Sequence, residues 1–204
     1  MTDDEALFAA WRAGDRGAGA ALIERHFDAL ERFFATKAGD AAEDLVQRTF
    51  LTCTEAAATW RSDGSFRAFL FGIARNVLFE HIRGRVRHGS EPTDFSQSAI
   101  RDLSPGVSTL VQYRADQRSL VAALQRLPVD LQMLLELYYW EELGVEELAN
   151  VLEVPGGTIK SRLHRARTML AEAMEQEPGG DDSSVRAMLT DWLAGVRSRA
   201  PDRG

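Results

Sequence analysis

The chain has 204 residues, 45% of them apolar and 27% charged, with a formal net charge of −7 at pH 7. That size allows one large domain or two small ones, and the composition is enough to bury a core. One cysteine, Cys53, excludes a disulfide framework and any multi-cysteine metal site, and no run approaches the roughly 20 apolar residues of a membrane span.

Residues 4–88 read as helices throughout. Leu7, Phe8 and Trp11 form one apolar stripe; Leu22, Ile23, Phe27, Leu30 and Phe34 a second; Leu45, Val46, Phe50 and Ala57 a third. Phe66, Phe69, Leu70, Ile73, Val77 and Leu78 form a fourth. All recur at the three-and-four spacing of a helix face rather than the alternation of a strand. Gly14-Asp15, Gly39-Asp40 and Ser62-Asp63-Gly64-Ser65 punctuate them as turns or N-caps. A four-helix domain over 1–88 is expected.

Residues 89–116 gather Gly, Ser and Pro and lose apolar periodicity, which predicts a flexible linker without contacts of its own. A second helical domain is expected over 117–176. Leu120, Val121, Leu124 and Leu127 start it, Pro128 suits the first turn of the next helix, and Leu131, Leu134, Leu135 and Tyr138 follow. A short stripe of Val145, Leu148, Ala149 and Leu152, a turn at Glu153-Val154-Pro155-Gly156 and a long last helix then give a helix-turn-helix pattern. The acidic tail over 177–204 carries Val185, Met188, Leu189, Trp192, Leu193 and Val196 on one face of a short amphipathic helix. So short a helix needs a partner for that face. The fold class expected is all-α: two small domains, a linker and a terminal helix.

The negative total hides two basic islands. From Arg61 to Ser90 six arginines face only Asp63 and Glu80, and from Gly156 to Leu170 there are Lys160, Arg162, Arg165 and Arg167 without an acid. In the second island Ile159, Leu163, Ala166 and Leu170 fall on one helix side, while Ser161, His164, Arg165 and Thr168 point away, flanked by Lys160 and Arg162. Such a face is either simply solvated or, as the short preceding helix, the Pro-Gly turn and the absence of acids favour, enters a major groove with arginine at guanine edges, its free N–H groups near Gly157 and Thr158 seating a phosphate. Glu146 and Glu147 on the preceding helix are expected to point to solvent. In the first island Arg61, Phe66, Arg67, Arg75, Arg83, Arg85 and Arg87 supply the residue types of a single-strand groove. Phe69 reads as core, and Phe66 serves equally as core or pocket wall.

Two stretches together resemble one family. Tyr139-Trp140-Glu141-Glu142-Leu143-Gly144-Val145-Glu146-Glu147-Leu148-Ala149, followed by Val154 through Arg167, is similar to the C-terminal domain of bacterial RNA polymerase sigma factors of the extracytoplasmic-function type, within the sigma-70 family. Ala42-Glu43-Asp44-Leu45-Val46-Gln47 and Phe66 through Asn76 resemble the N-terminal domain of the same family. The resemblance implies that Thr158, Lys160, Ser161, Arg162, His164 and Arg165 read the minus-thirty-five duplex. It implies a base-capture site for the minus-ten element at Arg61, Ser62, Asp63, Gly64, Ser65 and Phe66, with Arg75 and Asn76 behind it. Asp44 and Gln47 would meet the polymerase core beside Arg48, which stands where the family carries an acid; Thr54 stands where tryptophan is common. The partners implied are core polymerase and promoter DNA, duplex and single-stranded, with an anti-sigma factor as a possible regulator, in the cytoplasm and without membrane insertion.

No catalytic, metal or cofactor site is expected. His26, His81, His88 and His164 are scattered, and Cys53 sits among apolar and small residues as a buried thiol. The alternative is a dimeric helix-turn-helix regulator that binds duplex DNA without polymerase.

Overall fold

A computed structural model of the chain describes residues 3–56, 64–85, 94–100, 115–174 and 182–197. Helix α1 (Asp4–Arg12) lays Phe8 into the core, and the chain turns just beyond it at Gly14, whose φ of 100° suits a residue without Cβ. Asp15 then caps α2 (Arg16–Ala38), its carboxylate accepting from the N–H groups of Gly17 at 2.8 Å and Ala18 at 3.1 Å. Gly19 lets α1 and α2 approach closely: a Cβ there would stand 2.5 Å from the Trp11 indole nitrogen. A short 3₁₀ turn (Gly39–Ala41) leads into α3 (Ala42–Ala56), and α4 (Phe66–Arg85) closes the first domain against α3 and α1. Ser65 caps α4, its hydroxyl accepting from the Ala68 N–H at 3.1 Å.

The second domain follows as α5 (Ala115–Leu124), α6 (Val129–Tyr139), α7 (Val145–Leu152) and α8 (Gly156–Ala173). Pro128 precedes α6 and Pro155 precedes α8, each with the fixed φ that starts a helix without wasting an N–H. Helices α7 and α8 pack on each other and on α6 as the expected helix-turn-helix. Its turn includes Glu153 in the left-handed region, at φ 56°.

Helix α9 (Asp182–Arg197) supplies its own answer to the lone amphipathic stripe. It docks on the second domain, where Trp192 stacks on Trp140 with ring centres 4.1 Å apart, and the Trp140 Nε1–H donates to the Leu189 carbonyl at 3.0 Å. Leu189 and Leu193 are buried with them. The side chains of Val185 and Val196 lie outside the described residues.

The all-α expectation holds: the one β feature among the described residues is an isolated bridge between Ala99 and Pro128. Two other expectations change, and one falls on a residue the structure does not describe. Ile23 lies at the surface, because α2 turns that position away from α3 and α4. The stripe residue Ala57 lies outside the described residues. Residues 94–100 of the expected linker have contacts of their own: Phe95, Ala99 and Ile100 are buried, and the N–H groups of Val129 and Asp130 donate to the carbonyls of Ser98 and Phe95 at 3.0 and 3.2 Å. Phe95 bridges to α4 of the first domain by stacking on Phe79, a role that the Gly-Ser-Pro composition around it conceals.

The domains pack on each other, α4 against α7. At the centre lie Lys37 at the end of α2 and Glu136 on α6, fully buried and ion-paired. The Lys37 ammonium also donates to the Phe33 carbonyl at 2.7 Å and the Thr36 hydroxyl at 3.0 Å. Glu136 accepts from Thr36 Oγ1 at 3.0 Å and Gln132 Nε2 at 2.9 Å, and Gln125 Nε2 donates to the Thr36 carbonyl at 2.7 Å. Burial pushes Lys37 down and Glu136 up, each opposed by the charge of the other. No helix among the described residues is long and apolar enough to cross a membrane.

Candidate nucleic-acid interface

Helix α8 divides as its sequence predicts. Ile159, Leu163, Ala166 and Leu170 are buried, while Lys160, Ser161, His164 and Arg165 are exposed. Thr158 and Arg162 lie half-buried at the edge, with an Arg162 nitrogen 4.0 Å from Asp130. Burial raises the Asp130 carboxyl, and Arg75 and Arg162 pull it back down. Ser96, Gln97, Asp130, Leu131, Arg162 and Arg165 line a cleft of about 290 Å³ beside this face. The N-terminus of α8, the expected phosphate seat, has the Glu146 carboxylate close by: a Cβ on Gly156 would come within 3.0 Å of its Oε1. Glu146 is exposed as expected. Glu147 is not: it is half-buried at the domain interface, accepts the Gly144 N–H at 2.8 Å and bonds the Ser65 hydroxyl.

The first domain's basic island meets the second domain face to face. Of the capture residues, Arg61, Ser62 and Asp63 lie outside the described residues, Gly64 is exposed and Ser65 is engaged by Glu147. Phe66 takes the core reading: its ring is buried 4.8 Å from that of Phe8 and 5.5 Å from His26, whereas Phe69 is the half-buried one. Phe69 still packs against the core, its ring 5.7 Å from that of Phe8, and Phe66 lies deeper because it opens α4 directly over α1 and α2. Asn76 is exposed, and Arg75 reaches Glu153 at 3.4 Å. Arg67 donates to the Glu141 carbonyl at 2.6 Å and its carboxylate at 3.2 Å, and Arg32 reaches the same carboxylate at 2.9 Å.

On α3, Asp44, Gln47, Arg48 and Thr54 are exposed beside Leu51, the most exposed large apolar side chain described. Arg48 pairs with Glu80 of α4. Cys53 is buried on the opposite face, its thiol pushed up to about 12 by burial. Among the described residues no group of three or more His, Cys, Asp or Glu gathers in the manner of a metal site.

The acids Glu141, Glu147 and Glu153 were not among the predicted site residues. Their signal was present in the sequence as a short acidic helix and turn beside a basic helix-turn-helix, but pairing across the domains depends on the docking.

Two family models match in order: sigma-70 region 2 over residues 22–88 and sigma-70 region 4 over residues 117–170. The chain belongs to the sigma-70 family, as a sigma factor of the extracytoplasmic-function type. It is 30% identical over 173 residues to an ECF RNA polymerase sigma factor, SigM, of Mycobacterium tuberculosis, covering 84% of both chains. It is 27% identical over 184 residues to the RNA polymerase sigma-H factor of Pseudomonas aeruginosa, covering 84% of this chain and 94% of that one. Among solved structures it resembles the sigma factor RpoE of Bartonella quintana, determined in complex with the anti-sigma factor NepR, with TM-score 0.58 and 25% identity over 75% of this chain and 94% of that one. CnrH, solved with the cytosolic domain of CnrY, shares the fold at TM-score 0.55 and 24% identity over 84% of this chain and 97% of that one. As a sigma factor the chain directs RNA polymerase to promoters, and a regulator that works without polymerase is not favoured.

Proposed function

We propose that the two domains divide one promoter between them. The domain over 117–176 reads the minus-thirty-five duplex through Lys160, Ser161, His164 and Arg165, with Thr158 and Arg162 at its edge. The domain over 1–88 opens and holds the minus-ten strand through the loop at 61–66 with Arg75 and Asn76, Phe66 acting as a support from the core. Asp44, Gln47 and Arg48 meet core polymerase through α3, and the protein, itself without a catalytic step, works in the cytoplasm beside that enzyme. The observation that carries this reading is the clean division of α8 into a buried apolar side and an exposed cationic one.

In the closed chain Ser65, Arg67 and Arg75 are held by Glu147, Glu141 and Glu153. These acids stand where phosphates would, so the domains separate before the first one takes DNA. An anti-sigma factor that held them together would silence the protein by the same contacts. Run-off transcription with bacterial core polymerase on selected promoter fragments tests the whole reading. Arg165→Ala should lower binding of the upstream duplex about 10- to 100-fold, the loss of one bidentate base contact. Equal binding by the variant would remove α8 from the readout.

A further inference from the structure

Helix α4 carries Arg75, Phe79 and Arg83 at four-residue intervals, which aligns them along one face. Phe95 lies flat on Phe79, ring centres 3.9 Å apart and planes 5° from parallel. Phenyl pairs favour offset or edge-to-face contact. Parallel rings this close have the geometry of a base stacked on an aromatic side chain. The Arg75 guanidinium lies 4.6 Å from the Phe79 ring centre, and that of Arg83 lies 5.9 Å from Phe79 and 5.3 Å from Phe95. An aromatic plane rimmed by two guanidinium groups is the composition of a sequence-tolerant base seat. It lies one turn beyond Arg75 and Asn76.

The attachment of Phe95 gives this contact its consequence. Its backbone belongs to the second domain, through the bonds from Asp130 N–H to the Phe95 carbonyl and from Val129 N–H to the Ser98 carbonyl. Its ring belongs to the first. Any separation of the domains therefore draws Phe95 off Phe79 and bares the face between Arg75 and Arg83. The same movement withdraws Glu153 from Arg75. The ring on Phe79 and the carboxylate on Arg75 leave together, as a nucleotide's base and phosphate would arrive.

The geometry points to a stacking seat on Phe79, rimmed by Arg75 and Arg83, for an unpaired base of single-stranded DNA, filled in the closed chain by Phe95. This rests on the reading of α4 as the single-strand surface and adds to it a base position distinct from the loop at 61–66. The seat accepts any base, because every base has a stacking face.

The test uses the full chain and a fluorescent single-stranded oligodeoxynucleotide of mixed sequence, read by anisotropy. Phe95→Ala removes the occupant and should tighten binding about 10-fold. Phe79→Leu, in the Phe95→Ala chain, keeps an apolar side chain in place and should weaken binding about 5- to 100-fold, the range for loss of one stacked base. Phe79→Tyr should restore it. No gain from Phe95→Ala overturns the proposal. So does a gain that survives Phe79→Leu, since opening of the domains alone would then explain it. Thermal melts of each variant exclude misfolding as the cause of a loss. Run-off transcription by the parent chain with core polymerase separates the two claims. A parent that initiates while Phe79→Leu binds unchanged overturns the seat alone, and a parent that fails to initiate overturns the reading of α4.

Discussion

Glu136→Gln isolates what holds the domains together. The substitution keeps shape and leaves the buried Lys37 ammonium with the Phe33 carbonyl and ring face, the Thr36 hydroxyl and a neutral amide, but no opposite charge. Removing one partner of a buried ion pair costs about 3–5 kcal/mol, because the other charge stays out of water without compensation. At 1.36 kcal/mol per factor of ten, that shifts the balance between closed and separated domains by roughly two to three and a half powers of ten. Separation relieves the cost by returning Lys37 to water, so the variant opens rather than unfolds. Small-angle X-ray scattering should show a larger radius of gyration for Glu136→Gln at unchanged helix content. Lys37→Met with Glu136→Leu should be more compact than Glu136→Gln, since no charge stays buried, although Thr36 Oγ1 and Gln132 Nε2 lose their acceptor. Scattering and melting of Glu136→Gln indistinguishable from the parent would refute the reasoning.

Four further outcomes are expected. Gly19→Ala pushes a methyl against the Trp11 indole and should lower stability by about 1–3 kcal/mol in urea melts; an unchanged midpoint would show that Trp11 yields freely. Trp192→Ala removes the stack on Trp140 and should strip hydrogen-exchange protection from 182–197, and retained protection would mean that other contacts hold α9. Burial holds His26 below its ordinary value despite Asp4, so the unfolded chain binds the proton more readily: stability is full above about pH 6.5 and is lost as pH falls below that. His26→Gln should flatten part of this loss, and parallel profiles for parent and variant would contradict it. Arg48→Glu replaces an exposed pair with Glu80, worth about 0.2–1 kcal/mol, by two solvated carboxylates, and should strengthen core-polymerase binding at a small cost in stability; weaker or equal affinity by titration would count against the role of α3.

The helices were legible because each carries its apolar stripe at helical spacing, and the division of α8 followed from the same count. Which of Phe66 and Phe69 lies deeper was not. Both sit on the same side of α4, and which ring is buried depends on where α1 crosses, a contact about sixty residues away in sequence. The docking of the domains was hidden for a related reason. Lys37 and Glu136 each interrupt an otherwise apolar helix face, a pattern that marks a buried pair, yet nothing local assigns one to the other across roughly a hundred residues. Phe95 stood in a segment whose Gly, Ser and Pro content predicts solvent, and a single aromatic among them was easily averaged away.

The claim on which the rest depends is that contacts closing this sigma factor are exchanged for contacts to the promoter. Fluorescence energy transfer between labels at Glu24→Cys on α2 and Glu172→Cys on α8, both exposed sites, reads that exchange directly, and the buried Cys53 leaves the introduced thiols to react alone. One high-transfer population is predicted for the free chain, replaced by a low-transfer population once core polymerase and promoter are added. High transfer persisting in a complex that makes RNA would contradict it.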